Sequence, residues 1–153
     1  MIRNERQYRI TKAQAARFKK LLDAFASGLP KRPGVHPRLV RAERDALKSQ
    51  LGDLLAEIQE YERLKSGKVK VISVGSFDAL PDGLIKARIA VGLTQKELAQ
   101  SLSVKEQQVQ RYEATGYRSA SFGRLMEVAH ALGVQVREEI RITGAESGGA
   151  GRT

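Results

Sequence analysis

Residues 92–113 read GLTQKELAQSLSVKEQQVQRYE, and they carry the signals of two short helices joined by a tight turn. Thr94 and Glu97 have the spacing of a capping box, in which the side chain of each residue accepts a hydrogen bond from the backbone N–H of the other. The apolar inner face of this first helix is formed by Leu98, Ala99 and Leu102. A break at Ser103 and Val104 follows, and a second helix is predicted over residues 105–113.

Apolar periodicity on both sides extends this pair into a group of four or five short helices. The segment LPDGLIKARIAVG predicts a helix over residues 78–91 with Gly92 as its C-terminal cap, and RLMEVAHALGV predicts another over residues 124–134. We assign the small or apolar residues at the expected helix crossings to folding rather than to function: Ala99, Val104, Val109, Leu125, Val128, Ala129 and Leu132.

The run over residues 92–113 and the helix RLMEVAHALGV together resemble the helix-turn-helix family of the lambdoid phage repressors, Cro and the XRE-type regulators. The resemblance covers residues 80–134. It implies a lambda-repressor-like domain of four to five helices within a mainly α fold. It also implies a transcriptional regulator, a repressor, that binds double-stranded DNA sequence-specifically as a homodimer on a palindromic operator.

The same resemblance makes residues 105–112 the recognition helix, which enters the major groove. The expected base contacts are Glu106, Gln107, Gln110 and Arg111. Glutamine presents a donor and an acceptor side by side, which suits adenine, and arginine suits guanine. The expected phosphate contacts are Thr94, Gln95, Lys105, Tyr117 and Arg118. In the family, the position of Gln95 holds a phosphate and braces the recognition helix.

Three features depart from the family pattern. Ser103 stands where the turn usually carries glycine, and a left-handed backbone there would cost serine about 1 kcal/mol. Lys105 stands where Ser or Thr usually caps the recognition helix, so Ser103 and Glu106 would form a shifted capping box instead. Glu106 would then brace the backbone rather than read a base. The loop EATGYRSAS is longer than the common form, which affects the backbone contacts expected of Tyr117 and Arg118.

The N-terminal part predicts a basic helical hairpin. Thr11-Lys12-Ala13-Gln14 has the form of a capping box, and the apolar residues behind it predict a helix over residues 12–26. After the turn LPKRPGVHP, a second helix is predicted to begin at Pro37 and to end near residue 64. Its apolar seam suits packing against the first helix or a dimer contact. Residues 1–44 carry 12 Lys or Arg and 3 Asp or Glu, which are either a solvated face or a contact to phosphate or an acidic protein.

Two segments alternate in the manner of β-strands. KVKVISV predicts a strand over residues 69–74, and VQVREEIRI predicts one over residues 134–144. They would form a small two-stranded β element, paired within one chain or between two subunits. The expected organisation is a basic hairpin for dimerisation or partner binding over residues 1–66, a strand or linker over 67–75, the helix-turn-helix domain over 76–133, the C-terminal strand over 134–144 and a disordered tail over 145–153.

The whole chain has 27 Lys or Arg and 17 Asp or Glu, a formal net charge of +10, which favours an acidic partner such as nucleic acid. It has no cysteine, and its two histidines lie far apart in sequence, so we expect no disulfide, metal site or cofactor. No apolar run is long enough to cross a bilayer, and the N-terminus lacks the apolar stretch of a signal peptide. We therefore expect a cytoplasmic protein with no membrane partner.

A competing function from another class is neutralisation of a protein. A helical region before such a domain is similar in layout to HigA-type antitoxins, which implies an antitoxin of a type II pair that binds a toxin protein and represses its own operon. A toxin-sized neighbouring gene and a co-purifying complex would support this alternative. An enzyme is not expected, because the sequence shows no catalytic pair, phosphate loop or metal site.

Overall fold

A computed structural model describes residues 1–27, 33–140 and 142. Within them the chain forms six α-helices and one turn of 3₁₀-helix: α1 Glu5–Ala26, α2 Pro37–Lys65, the 3₁₀ turn Phe77–Ala79, α3 Leu80–Ala90, α4 Gln95–Ser101, α5 Glu106–Ala114 and α6 Phe122–Leu132. The predicted mainly α fold, a helical hairpin followed by a helix-turn-helix domain, is confirmed. None of these helices is long and apolar enough to cross a membrane. The predicted tail over residues 145–153 lies outside the described residues.

Helix α1 begins earlier than the sequence pattern predicted. The Asn4 side chain caps it by accepting a hydrogen bond from the backbone N–H of Gln7 at 2.9 Å, and Glu5 places a negative charge in the first turn. The capping box predicted at Thr11 is wrong, because Thr11 lies inside the helix. No Gly or Pro interrupts residues 4–11, so the helix extends back to the first residue that caps it well.

Helices α1 and α2 pack as the predicted hairpin. The rings of Tyr8 and Tyr61 stack with their centroids 5.1 Å apart, and the Tyr8 hydroxyl donates to the Glu62 carboxylate. Lys65 Nζ lies 2.8 Å from a Glu5 carboxylate oxygen. Exposed ion pairs of this kind add little stability, whereas packed aromatic rings add more. The ring stack therefore aligns the start of α1 with the end of α2.

The hairpin and the helix-turn-helix domain share one hydrophobic core. Leu64 at the end of α2 is 1 % exposed and belongs to the same buried cluster as Ile85 of α3 and Leu98 of α4. Most of the predicted core residues are buried, namely Ala99, Val109, Val128, Ala129 and Leu132. Val104 and Leu125 are half-buried and pack against the cluster. The domain's position is thus fixed relative to the end of the hairpin.

The predicted two-stranded β element is not formed within the described residues. Residues 68–74 and 134–140 carry no strand, and no backbone hydrogen bond joins these two segments. Both lie along α3, on a groove of about 720 Å³. Val74 approaches Gly83 so closely that a Cβ there would lie 2.7 Å from Val74 Cγ1. Side chains anchor the segments to the helical core, which holds their backbones apart.

Candidate nucleic-acid interface

Helix α4 begins with the capping box that the sequence predicts. The backbone N–H of Thr94 donates to Glu97 Oε2 at 2.7 Å, and the backbone N–H of Glu97 donates to Thr94 Oγ1 at 3.1 Å. The hydrogen bond from the Thr94 backbone, followed by the one from its hydroxyl, lowers the pKa of Glu97. These bonds fix the start of α4 beside the loop that leaves α3.

The turn between α4 and α5 depends on a left-handed residue. Ser103 has φ of 54°, so the conformation in which serine is strained is present. The backbone N–H of Val104 donates to Ala99 O at 3.0 Å, which closes the end of α4. This tight closure sets the angle at which α5 leaves the turn.

The shifted capping box predicted for α5 is wrong. Lys105 is the N-cap residue and makes no side-chain capping bond, whereas Ser103 belongs to the turn. Glu106 Oε1 instead accepts a hydrogen bond from Gln110 Nε2 at 3.0 Å. The Glu106 carboxylate is therefore paired along the outer face of α5 and does not brace the backbone.

Helix α5 has one buried face and one exposed polar face. Val109 and Glu113 point into the domain and are 0 % exposed. The four side chains predicted to read bases are all exposed: Glu106, Gln107, Gln110 and Arg111. Three of the predicted phosphate contacts are exposed as well, namely Thr94, Lys105 and Arg118. The arrangement presents two amides, one carboxylate and one guanidinium group on a helix narrow enough to enter a major groove, with Lys105 and Arg118 beyond its two ends.

The structure places the side chains of the other two predicted phosphate contacts, Gln95 and Tyr117, in the interior. Gln95 is 6 % exposed; its Nε2 donates to Glu113 Oε2 at 2.8 Å, and its Oε1 accepts from Asn4 Nδ2 at 3.1 Å. Tyr117 is 3 % exposed and stacks on Tyr112 with ring centroids 5.6 Å apart. Burial raises the pKa of the Tyr117 hydroxyl. Both side chains serve the fold: Gln95 braces α5, and Tyr117 fills the core.

The long loop after α5 explains the position of Tyr117. Gly116 and Tyr117 have φ of 58° and 57°, so two consecutive left-handed residues turn the chain back towards α5. The backbone N–H of Tyr117 then donates to Tyr112 O at 2.7 Å. This return inserts the ring under the loop and leaves Arg118 outside.

A buried ion pair at the centre of the domain was not predicted from the sequence. Arg88 Nε lies 2.5 Å from Glu113 Oε1, and the two side chains are 3 % and 0 % exposed. Arg88 also donates to Leu93 O at 2.8 Å and to Arg3 O at 2.7 Å. A signal was present, since Glu113 follows Val109 by four residues and so shares its buried face. This network joins α3, α5 and the segment before α1.

Comparison with known proteins agrees with this geometry. The family model described as Helix-turn-helix matches residues 84–138, which include most of α3 and all of α4, α5 and α6. No curated protein and no solved structure matches the chain. The matched segment corresponds to the part that carries the capped α4, the left-handed turn and the exposed face of α5. Residues 84–138 therefore match a helix-turn-helix family of the XRE type, whose members are DNA-binding transcriptional regulators.

Proposed function

We propose that this chain is a sequence-specific transcriptional repressor that binds a palindromic operator as a homodimer, with α5 as its recognition helix. The observation that carries the proposal is the exposed polar face of α5. Glu106, Gln107, Gln110 and Arg111 lie within two turns of one helix, and all four are free of any packing role. Side chains so placed can reach base edges when the helix lies in a major groove.

The four side chains divide into two groups by their contacts. Gln107 and Arg111 are the direct readers, suited to adenine and guanine respectively. Glu106 and Gln110 are joined by a hydrogen bond of 3.0 Å, which orients the amide of Gln110 along the helix. The pair would read bases as a unit, with the carboxylate accepting from a cytosine amino group. Lys105, Arg118 and the start of α4 at Thr94 supply sequence-independent contacts to phosphate.

Exposed apolar residues support a dimer formed by the two extended segments. The most exposed large apolar side chains are Val71 in the segment before α3, at 79 %, and Ile140 and Ile142 in the segment after α6, at 91 % and 92 %. Phe77 and Phe122, with ring centroids 5.9 Å apart, continue this apolar surface and are more than half exposed. Concentrated apolar exposure of this kind is typical of a protein interface.

Backbone groups and charge favour a second copy of this chain as the occupant of that surface. Among the described residues, neither 69–74 nor 135–140 makes a backbone hydrogen bond to another segment, although both have the alternation of strands. Lys68 and Lys70 lie at the start of the first segment, and the second carries Glu138 and Glu139 beside Arg137. Opposite charges favour pairing of the first segment of one copy with the second segment of the other. Two-fold symmetry would form this ladder twice.

Selection of bound duplexes from a random pool, with the full chain, tests the proposal. We expect enrichment of a palindrome whose half-sites lie about 34 Å apart, one turn of the double helix. A reporter gene placed behind the selected sequence should be expressed less when the protein is present. No enrichment would contradict sequence-specific binding, and increased reporter expression would contradict repression.

The antitoxin alternative differs in requiring a toxin protein as a second partner. It rests on the layout of a helical region before the domain, and the described contacts of the hairpin do not select it over a regulator that acts alone. Co-expression with the product of an adjacent toxin-sized gene would distinguish the two. A stable complex that relieves growth arrest supports the antitoxin, and a free dimer with no effect on growth supports the regulator.

A further inference from the structure

A cleft lies between the start of α1 and the recognition helix. Its volume is about 750 Å³. Residues of α1 to α5 border it, and they include Arg6 and Gln7 of α1, Gln95 of α4, and Glu106 and Gln110 of α5. Two of these residues belong to the face of α5 that we propose to read DNA. The N-terminal hairpin therefore lies next to the proposed DNA-binding surface.

The start of α1 is held rigidly against the helix-turn-helix domain. Ile2 is 3 % exposed in the shared core, and Arg88 Nη2 donates to the carbonyl oxygen of Arg3 at 2.7 Å. Asn4 Nδ2 donates to Gln95 Oε1 at 3.1 Å. Side chains on the first turns of α1 consequently keep a fixed position relative to α5.

The charges at this cleft leave two arginines without an acidic partner. Lys65 is paired with Glu5, and Arg88 is paired with Glu113. Arg6 is exposed and forms no ion pair among the described residues, and Arg3 Nε is buried with no hydrogen-bond partner. Arg3 as a whole is partly exposed, so the rest of its guanidinium group, like that of Arg6, can meet an anion that a ligand supplies. A phosphate oxygen is an acceptor suited to guanidinium groups.

We propose that the start of α1 is part of the DNA interface, where Arg6 contacts the phosphate backbone beside the groove entered by α5 and Arg3 adds a second cation behind it. The proposal rests on the proposed DNA-binding function. It accounts for Gln95, whose side chain is turned inward and covered by Asn4. The arginines of α1 take over the contact to phosphate that this glutamine was predicted to make.

The test compares full-length Arg6→Gln with the wild type on the selected operator and on a random duplex at several salt concentrations. A phosphate contact is blind to sequence, so we expect Arg6→Gln to weaken binding roughly three- to ten-fold on both duplexes. The slope of log affinity against log salt should become shallower by about 0.9, because the variant neutralises one phosphate fewer. Arg3→Gln in addition should lower the slope by a similar amount again.

Arg41→Gln is the matched control, because it removes the same charge from an exposed position about 25 Å along α2 from the shared core. We expect it to bind as the wild type does. If Arg6→Gln behaves like Arg41→Gln, the role of α1 is overturned while the proposed function stands. Tighter binding by Arg6→Gln would overturn it too, because α1 would then obstruct DNA. Failure of the wild type to bind any duplex would overturn the proposed function itself.

Discussion

Among the described residues, two that are not glycine adopt a backbone conformation that favours glycine. Ser103 and Tyr117 have φ of 54° and 57°, and each lies at an end of the recognition helix. At Tyr117 the buried, stacked ring offsets the strain. Ser103 is exposed, so nothing comparable offsets it there. The turn before α5 therefore stores strain in a single residue.

Ser103→Gly should make the protein more stable. Glycine adopts positive φ without the clash of a Cβ, and we expect a gain of about 1 kcal/mol in the free energy of unfolding. Urea denaturation monitored by circular dichroism measures it. Ser103→Ala keeps the Cβ and serves as the control, with no gain expected. Equal stability of the two variants would show that the left-handed turn is not strained.

At the scale of helices, the Arg88–Glu113 ion pair joins elements that the sequence separates. It links α3 to α5, and Gln95 of α4 donates to the same carboxylate. The segment before α1 is attached through Arg3 O and Asn4. The two buried charges are tolerated because each guanidinium nitrogen of Arg88 and each carboxylate oxygen of Glu113 has a hydrogen-bond partner. The network therefore sets the position of the recognition helix relative to α1.

Glu113→Leu should be strongly destabilising, because it leaves the Arg88 charge buried without a partner. We expect a loss of about 3–5 kcal/mol in the free energy of unfolding, and a smaller loss when Arg88→Met is added. Urea titrations of the single and double variants measure both. Glu127→Leu, which removes the exposed partner of Arg124, should cost about 1 kcal/mol or less. A double variant less stable than Glu113→Leu alone would argue against this account.

Helix existence and most of the core could be predicted from periodicity and caps, as Pro37, Thr94 and Val109 show. The burial of Gln95 could not, because it depends on partners far along the chain, Asn4 and Glu113. The burial of Tyr117 could not either, because it depends on the left-handed backbone of Gly116 and Tyr117. Residues 69–74 and 134–140 do alternate as strands do, but a β-ladder also requires a second strand close enough to form backbone hydrogen bonds. Within one chain, packing against α3 keeps the two segments apart.

At the scale of the molecule, the hairpin, the domain and the extended segments form three surfaces. The first is formed by α5 of the domain together with the start of α1, and the second by the exposed apolar residues of the extended segments. The far end of the hairpin exposes Leu39 on α2, which is the alternative position for a dimer contact. Variants in the extended segments and on α2 are both needed to decide which of them forms the dimer contact.

Val71→Glu combined with Ile140→Glu should abolish the dimer without unfolding the chain. Both side chains are largely exposed, so the charges disturb only a partner's surface. Sedimentation equilibrium should give twice 16.9 kDa for the wild type and 16.9 kDa for the variant. Leu39→Glu, on α2, should remain dimeric. Dissociation by Leu39→Glu alone would place the contact on the hairpin and contradict pairing of the extended segments.

The central claim is that α5 reads base sequence, and Gln107→Ala tests it most directly. The residue is exposed and has no packing role, so the variant should fold as the wild type does. We expect its free energy of binding to the selected operator to become less favourable by about 1–3 kcal/mol, and its affinity for a random duplex to stay unchanged. Gln50→Ala, at another exposed glutamine, on α2, should leave both affinities unchanged. An equal loss on operator and random DNA, or no loss on either, would contradict the claim.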